Sequence, residues 1–194
     1  MRKDMVKSVG KRLAMRLPMV VAALFVPAFL RAADIEGTLS VPKPDRAVVY
    51  VDGIAGTFSG GKAKIDQRNK VFYPYVLAVV KGTTVEFHNS DDMVHNVFGV
   101  GADEFNLGNW TKGIVHEHTF NKLGEVIVLC NVHQEMEAYI LVLQNPYFAQ
   151  LDSGGKFRIA NVPPGEYVVT AWYQGKARKQ KVKVLGTGTA TVSF

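Results

Sequence analysis

One short stretch of the sequence concentrates side chains that bind soft metal ions. Cys130, the only cysteine among the 194 residues, is followed three positions later by His133 and three further on by Met136. From residue 34 onward the chain holds only one other methionine, so chance is a poor account of this spacing. Thiolate and thioether sulfur are soft ligands, and imidazole suits copper, zinc and iron. The stretch is therefore a candidate metal-binding loop.

A second histidine, His95, lies upstream in a separate polar stretch that covers residues 89–97. Two imidazoles, one thiolate and a weak axial thioether form the trigonal ligand set of electron-transfer copper sites. A single cysteine excludes thiolate-bridged dinuclear copper, tetrathiolate iron and the usual multi-cysteine zinc sites. A lone cysteine is most often a small buried hydrophobe, but that role would leave the positions of His133 and Met136 unexplained. The sequence thus predicts one mononuclear copper site per chain.

Two alternatives concern the ligands themselves. A carboxylate, from Glu135 or Glu137, could replace the thioether as axial ligand, although Met136 has the better spacing. His116 and His118 could form a second metal site, because residues two apart on a strand point to the same face. We favour two ordinary strand histidines there.

Two further residues near the first ligand loop need a role. His88 has no identified partner and is expected to be a surface or satisfied polar residue. Met93, two residues from His95, cannot easily reach the same metal and is expected to pack within its loop.

The elements that must position these residues are predicted to be strands. Runs rich in β-branched and aromatic residues recur after residue 34, separated by Gly, Pro, Asn or Asp, and no amphipathic helix of useful length is present. We therefore predict an all-β fold of one large or two small sandwiches. The clearest runs cover residues 48–51, 76–80, 83–87, 125–129, 138–143 and 167–172. In this arrangement the run 125–129 delivers Cys130 to one end of a sandwich.

These motifs resemble those of the cupredoxins. The loop from Cys130 to Met136 is similar to that of amicyanin, and the run 82–87 leading to His95 resembles the cupredoxin strand and loop that bear the first histidine. The resemblance covers residues 62–144 and implies a Greek-key sandwich that holds one type 1 copper. It implies His95, Cys130 and His133 as equatorial ligands, Met136 as axial ligand, and Asn96 as a group that ties the two ligand loops together. Val132 stands where many cupredoxins have Pro before the second histidine.

The two ends of the chain resemble another module. Residues 152–172, with a Gly-x-Phe motif and a Pro-Pro-Gly turn before Tyr167, resemble the carboxypeptidase regulatory-like, or transthyretin-like, β-sandwich. Residues 35–58 resemble its first strands. We therefore expect residues 34–61 and 145–194 to pair into one small sandwich with the cupredoxin domain inserted between them. A serial arrangement is the alternative. The whole layout is similar to that of exported methylamine-utilisation-like cupredoxins, a likeness that does not establish a role in amine oxidation.

The charges divide the chain into three parts. The formal net charge of +6 equals that of residues 1–33 alone, which hold seven basic residues and one acidic residue. Residues 34–144 carry −5 and residues 145–194 carry +5, so the chain after the leader has no net basic surplus, which argues against binding to nucleic acid by phosphate neutralisation.

The leader itself is predicted to be a signal peptide. Its basic start, its apolar run over 17–30 and its small residues at Ala32 and Ala33 are typical of a cleaved secretory signal. The apolar run is shorter than a membrane span needs and contains two prolines. The sequence therefore predicts a soluble protein in the periplasm or another exported compartment, with no stable membrane span after cleavage.

Together these features predict an exported carrier of single electrons between redox partners, for example a c-type cytochrome. No acid–base pair or nucleophile suggests an enzyme, because the one thiolate is predicted to be a ligand. Two other functions stay open: a periplasmic copper carrier or storage protein, and a cell-envelope binding module with a non-redox role. An acidic fringe next to the ligands could steer a basic partner, although a solvated charged rim is an equally good interpretation. The fringe comprises Asp91, Asp92, Glu135 and Glu137.

Overall fold

The computed structural model describes residues 32–194. The predicted signal peptide, residues 1–33, therefore lies outside the described residues except for Ala32 and Ala33. Sixteen strands and one short 3-10 turn, Pro44–Arg46, follow in chain order. The strands are β1 (Ala33–Thr38), β2 (Ala47–Asp52), β3 (Lys62–Arg68), β4 (Val71–Tyr73), β5 (Val76–Val80), β6 (Thr83–Asn89), β7 (His95–Gly101), β8 (Phe105–Trp110), β9 (Val115–Phe120), β10 (Gly124–Leu129), β11 (Glu137–Leu143), β12 (Phe148–Gln150), β13 (Lys156–Val162), β14 (Gly165–Tyr173), β15 (Lys176–Val184) and β16 (Thr189–Ser193). The prediction of an all-β sandwich is confirmed.

The strands form four sheets. Their orders are β13-β1-β16, β12-β2-β14-β15, β5-β11-β10-β7-β8 and β4-β3-β6-β9. Among residues 32–194 no helix is long and apolar enough to cross a membrane.

The sheets that combine the two ends of the chain enclose one apolar core. Strand β1 pairs with β13 and β16, and β2 pairs with β12 and β14. Alternate residues of these strands, among them Ile35, Val49, Ile159 and Val169, meet between the two sheets. The first and last segments of the described chain thus pack against each other.

A second core lies between the five-stranded sheet and the sheet that contains β6. Phe87 of β6, Phe120 of β9 and Ile140 of β11 are fully buried in it. Cys130 and Met136 belong to the same core, at the end where β10 leads into β11. The candidate ligands therefore rest on packed side chains, which limits their movement.

A third apolar layer lies between the five-stranded sheet and the sheet that contains β2 and β14. Residues that point away from the second core, such as Val76 and Leu141, pack against Val48 of β2 and Trp172 of β14. The indole N–H of Trp172 donates a hydrogen bond of 2.7 Å to Oε2 of Glu125. Because β11 is covered on both faces, its residues 140–142 are all buried.

Candidate metal centre

Two loops at one end of the second sandwich bring three potential ligands together. His95 is the first residue of β7, Cys130 directly follows β10, and His133 lies in the short loop before β11. One ring nitrogen of each histidine and Sγ of Cys130 all lie within 4.8 Å of one another. Among residues 32–194 this is the only cluster of three or more His, Cys, Asp or Glu side chains with such spacing.

The two imidazoles face each other through the same ring atom. Nδ1 of His95 lies 3.0 Å from Nδ1 of His133, and the ring centroids are 4.8 Å apart at an interplanar angle of 60°. His95 is fully buried, whereas His133 is partly exposed. One ring is therefore enclosed by protein and the other has an edge towards solvent.

Asn96 connects the two loops at the sulfur. Its backbone N–H donates a hydrogen bond of 3.4 Å to Sγ of Cys130. Its side-chain oxygen accepts a hydrogen bond of 3.4 Å from the N–H of Asn131, and its amide nitrogen donates to the carbonyl oxygen of Gly108 at 2.8 Å. Asn96 thus contacts both loops and the neighbouring strand β8, and its role in a metal site stays a prediction.

Met136 lies at the end of the second loop, directly before β11. Its N–H donates to the carbonyl oxygen of His133 at 3.1 Å, and its side chain is 1% exposed in the core that also contains Cys130. Its role as axial ligand stays a prediction. Of the two carboxylate alternatives, Glu135 is exposed, and Glu137 accepts a hydrogen bond of 2.6 Å from the hydroxyl of Tyr75.

Asp91 has a position that the sequence did not reveal. We expected it in an exposed acidic fringe, but it is 8% exposed, and its Oδ2 lies 2.8 Å from Nε2 of His95. Burial by itself raises the pKa of Asp91, but hydrogen bonds from Lys70 N–H, His95 and Asn69 N–H bring that pKa below its usual value. The only signal in the sequence was that Asp91 lies four residues before His95. A carboxylate in any exposed loop could have the same spacing, so this signal does not predict the contact.

The acidic fringe is accordingly smaller than predicted. Asp91 and Glu137 are engaged by His95 and Tyr75, so Asp92 and Glu135 are its exposed members, and Asp92 forms an ion pair of 2.9 Å with Lys112. The surface beside them is apolar: Met93 is 38% exposed, Val94 41% and Val132 44%. Met93 was expected to pack within its loop and instead contributes to this surface.

The remaining histidines have partners outside the cluster. The ring of His116 stacks on Trp110 with centroids 4.3 Å apart. Nε2 of His118 lies 3.3 Å from Asp103, and Nε2 of His88 lies 3.2 Å from Glu86. Each of these three histidines therefore has a stacking or hydrogen-bonding partner outside the cluster.

The donor set fits a soft metal in a trigonal arrangement. It offers one sulfur and two imidazole nitrogens, with apolar packing on the side of the core. Copper in electron-transfer sites takes such a His₂Cys set with a weak axial ligand.

Comparisons with known proteins give partial matches. A family model described as "Polysaccharide lyase family 4, domain II" matches residues 134–192, less than a third of the chain. This model differs from the carboxypeptidase regulatory-like family that we expected, so the latter resemblance stays a prediction. No curated protein matches the chain.

Similar solved structures are copper proteins by name. The copper-containing nitrite reductase of Thermus scotoductus is 29% identical over 43% of this chain and 22% of its own length, with a TM-score of 0.41. A purple cupredoxin from Nitrosopumilus maritimus is 23% identical over 42% of this chain and 99% of its own, with a TM-score of 0.39. Amicyanin from Paracoccus versutus is 27% identical over 42% and 80%, with a TM-score of 0.38. Each of these matches covers less than half of this chain.

Proposed function

We propose that this protein is an exported, mononuclear type 1 copper protein of the cupredoxin class that carries single electrons between redox partners. The observation that carries the proposal is the convergence of His95, Cys130 and His133 within 4.8 Å at the end of a packed sandwich. Bound copper would supply the one-electron couple. The protein's residues would supply its ligands, and Met136 would supply the weak axial one.

The surroundings of the ligands favour electron exchange with little rearrangement. Sγ of Cys130 is held by the N–H of Asn96, and Met136 is fixed in the core, so both sulfur atoms sit in packed positions. The imidazoles suit Cu(II), and the sulfur ligands suit Cu(I). A site that accommodates both states without moving its ligands keeps the reorganisation energy low.

His133 is the proposed point of electron exchange. It is partly exposed, and the two loops that bring His95 and His133 together also expose the apolar side chains of Met93, Val94 and Val132. Apolar centres with polar rims are typical of protein interfaces. A redox partner such as a c-type cytochrome could dock there, with Asp92 and Glu135 steering a basic surface. Electron-transfer rates that do not fall with ionic strength would exclude such steering.

Copper carriage is the main rival, because the same ligands could serve delivery or storage. Voltammetry of the copper-loaded protein separates the two functions. We expect a fast, reversible one-electron couple and similar retention of Cu(I) and Cu(II) against a chelator. Rapid loss of copper on reduction would support carriage and overturn electron transfer.

The controls for this experiment come from the chain itself. Cys130→Ser removes the thiolate and should abolish the couple. His88→Gln removes a histidine that contacts Glu86 rather than the cluster, and the couple should persist. A couple that survives Cys130→Ser would contradict the proposed ligand set.

The layout supports a proposal for the rest of the chain. We propose that residues 34–61 and 145–194 form one sandwich into which the copper-binding domain, residues 62–144, is inserted. The pairing of β2 with β12 and β14 supports this division. The proposed roles are binding and electron transfer and include no enzymatic step.

The proposed export has a direct test. Sequencing the amino terminus of the exported protein would test cleavage near Ala33.

A further inference from the structure

His95 is held from the side opposite to the metal cluster. Oδ2 of Asp91 lies 2.8 Å from Nε2 of His95, while Nδ1 of the same ring faces His133. The side chains of His95 and Asp91 are 0% and 9% exposed, so water competes little for this contact. Buried hydrogen bonds to an ionised group are stronger than exposed ones.

The carboxylate of Asp91 is in turn fixed by the backbone. The N–H of Asn69 donates to Oδ1 at 2.6 Å, and the N–H of Lys70 donates to Oδ2 at 2.9 Å. Asn69 and Lys70 both have left-handed backbone angles, with φ of 56° and 58°, in the turn between β3 and β4. The N–H of Asp91 donates to Oδ1 of Asn89 at 2.9 Å. The carboxylate therefore cannot turn away without breaking several hydrogen bonds.

These contacts decide which nitrogen of His95 carries the proton. An ionised carboxylate only accepts hydrogen bonds, so Nε2 of a neutral His95 must carry the proton and Nδ1 must be a free lone pair. Nδ1 of His95 lies 3.0 Å from Nδ1 of His133, so its lone pair points into the cluster. His95 thus presents the nitrogen that a metal ligand needs.

We propose that Asp91 is a positioning residue of the metal centre, which fixes the orientation and the tautomer of His95. The inference rests on the proposed copper function. Carboxylate partners of metal-bound histidines typically contribute 10-fold to 100-fold in metal affinity. A carboxylate hydrogen bond increases electron donation from a bound imidazole to the metal, which stabilises Cu(II) more than Cu(I), so Asp91 should lower the reduction potential.

The first test needs no metal. Imidazole ¹⁵N NMR of the metal-free protein should show the Nε2–H form of His95. Asp91→Asn should mix the two tautomers of His95, whereas Asp92→Asn should leave them unchanged. Asp92 is the matched control because it is adjacent, and its side chain is 86% exposed. An Nδ1–H form of His95 in the wild-type protein would overturn the proposal even if Asp91→Asn fails to fold.

The second test uses the copper-loaded protein. Asp91→Asn should weaken Cu(II) binding about 10-fold to 100-fold and Cu(I) binding less, which raises the reduction potential. Each tenfold difference between the two states corresponds to about 59 mV for one electron. A potential that shifts no more than in Asp92→Asn would overturn the positioning role. If the wild-type protein binds no copper, the proposed function fails, and the NMR result alone decides the role of Asp91.

Discussion

Met136 and His133 belong to the same short loop but lie in different surroundings. His133 is partly exposed, whereas Met136 is 1% exposed and packs in the core beside Cys130. A thioether fixed by packing can serve as a weak ligand at constant distance. Under the proposed function, we therefore expect the histidine to exchange electrons and the methionine to tune the reduction potential.

Replacing Met136 by Leu tests this division. Leu conserves volume, so the free energy of unfolding should change by less than about 1.5 kcal/mol. Loss of the thioether should raise the reduction potential, because an axial sulfur donates electron density to Cu(II), and the equatorial ligands should still bind copper. Met93→Leu is the matched control, since Met93 is 38% exposed and outside the cluster. Equal potentials in the two variants, measured by voltammetry, would show that Met136 is not a ligand.

The sequence was sufficient to predict the candidate ligands, but it did not predict which side chains hold them in place. Spacing within one loop was enough to single out Cys130, His133 and Met136, because their positions depend on local chain geometry. The contact between Asp91 and His95 depends on the turn that contains Asn69 and Lys70, which is distant along the chain from His95. No local pattern distinguishes such a buried carboxylate from an exposed one.

At the scale of elements, the parallel pair β3 and β6 supports the first ligand loop. Strand β6 ends at Asn89, whose side-chain amide donates to the carbonyl oxygens of Met93 and Trp110 at 2.9 and 3.0 Å. At the other end of the pair, Gly60 lies against the backbone at Thr83: a Cβ on Gly60 would be 2.0 Å from the nitrogen of Thr83. The start of β3 is therefore packed backbone to backbone.

Two adjacent glycines give a matched test of that packing. Gly60→Ala should destabilise the protein by at least about 1–3 kcal/mol, because the added carbon meets backbone that cannot move aside. At Gly61 a Cβ would meet no atom within 4 Å, so Gly61→Ala should be neutral or slightly stabilising. Urea unfolding of both variants measures the difference. Equal stabilities would contradict the close approach of β3 and β6.

Strands with strong β-branched patterns were predicted closely, and charged strands were not. The runs at 76–80 and 125–129 agree with β5 and β10 to within one residue. Strand β3, with the sequence KAKIDQR, and most of β15 expose charged side chains, so their apolar signal is weak. Pairing with neighbouring strands, rather than local propensity, makes these segments extended.

At the scale of the whole molecule, one apolar layer joins the five-stranded sheet of β10 and β11 to the sheet of β2 and β14. Trp172 packs on Tyr139 with ring centroids 5.0 Å apart, and its N–H donates to Glu125. Tyr139 in turn packs on Tyr75, whose hydroxyl donates to Glu137 beside Met136. The layer thus combines apolar contacts with two hydrogen bonds, one of which, from Trp172 to Glu125, connects the two sheets.

Two buried tryptophans allow the hydrogen bond across this layer to be measured. Trp172→Phe removes the N–H and leaves the carboxylate of Glu125 without that donor, which should cost about 1–3 kcal/mol beyond the loss of volume. Trp110→Phe removes a similar volume, but the indole N–H of Trp110 has no partner among the described residues. Urea unfolding should therefore show the larger loss for Trp172→Phe. A larger loss for Trp110→Phe would contradict the role of the bond.

The same layer predicts a dependence of stability on alkaline pH. Burial raises the pKa of Tyr75, and so does its hydrogen bond to Glu137. The unfolded chain loses this proton near pH 10 while the folded chain keeps it, so the stabilisation is complete below about pH 10 and is lost as pH rises further. We expect the free energy of unfolding to fall above pH 10, and to fall less steeply in Tyr75→Phe. Tyr73→Phe, at a side chain 63% exposed, is the control. If the stability of both variants depends on pH in the same way as that of the wild-type protein, Tyr75 is not responsible for the alkaline loss of stability.

The pairing of distant strands was the least predictable part of the molecule. Residues 34–61 and 145–194 were expected to associate because both resemble one module, yet sequence patterns alone left a serial arrangement open. Strand β1 lies between β13 and β16, far along the chain, and such pairings depend on the complementarity of whole faces. Local propensity contains no information on that choice.

The visible absorption spectrum of the purified protein with Cu(II) tests the central claim most directly. A thiolate bound to copper through Cys130 in a His₂Cys site should give an intense charge-transfer band at one copper per chain. The band should be absent in Cys130→Ser and retained in His88→Gln. A colourless Cu(II) complex of the wild-type protein would contradict the assignment of a type 1 copper centre.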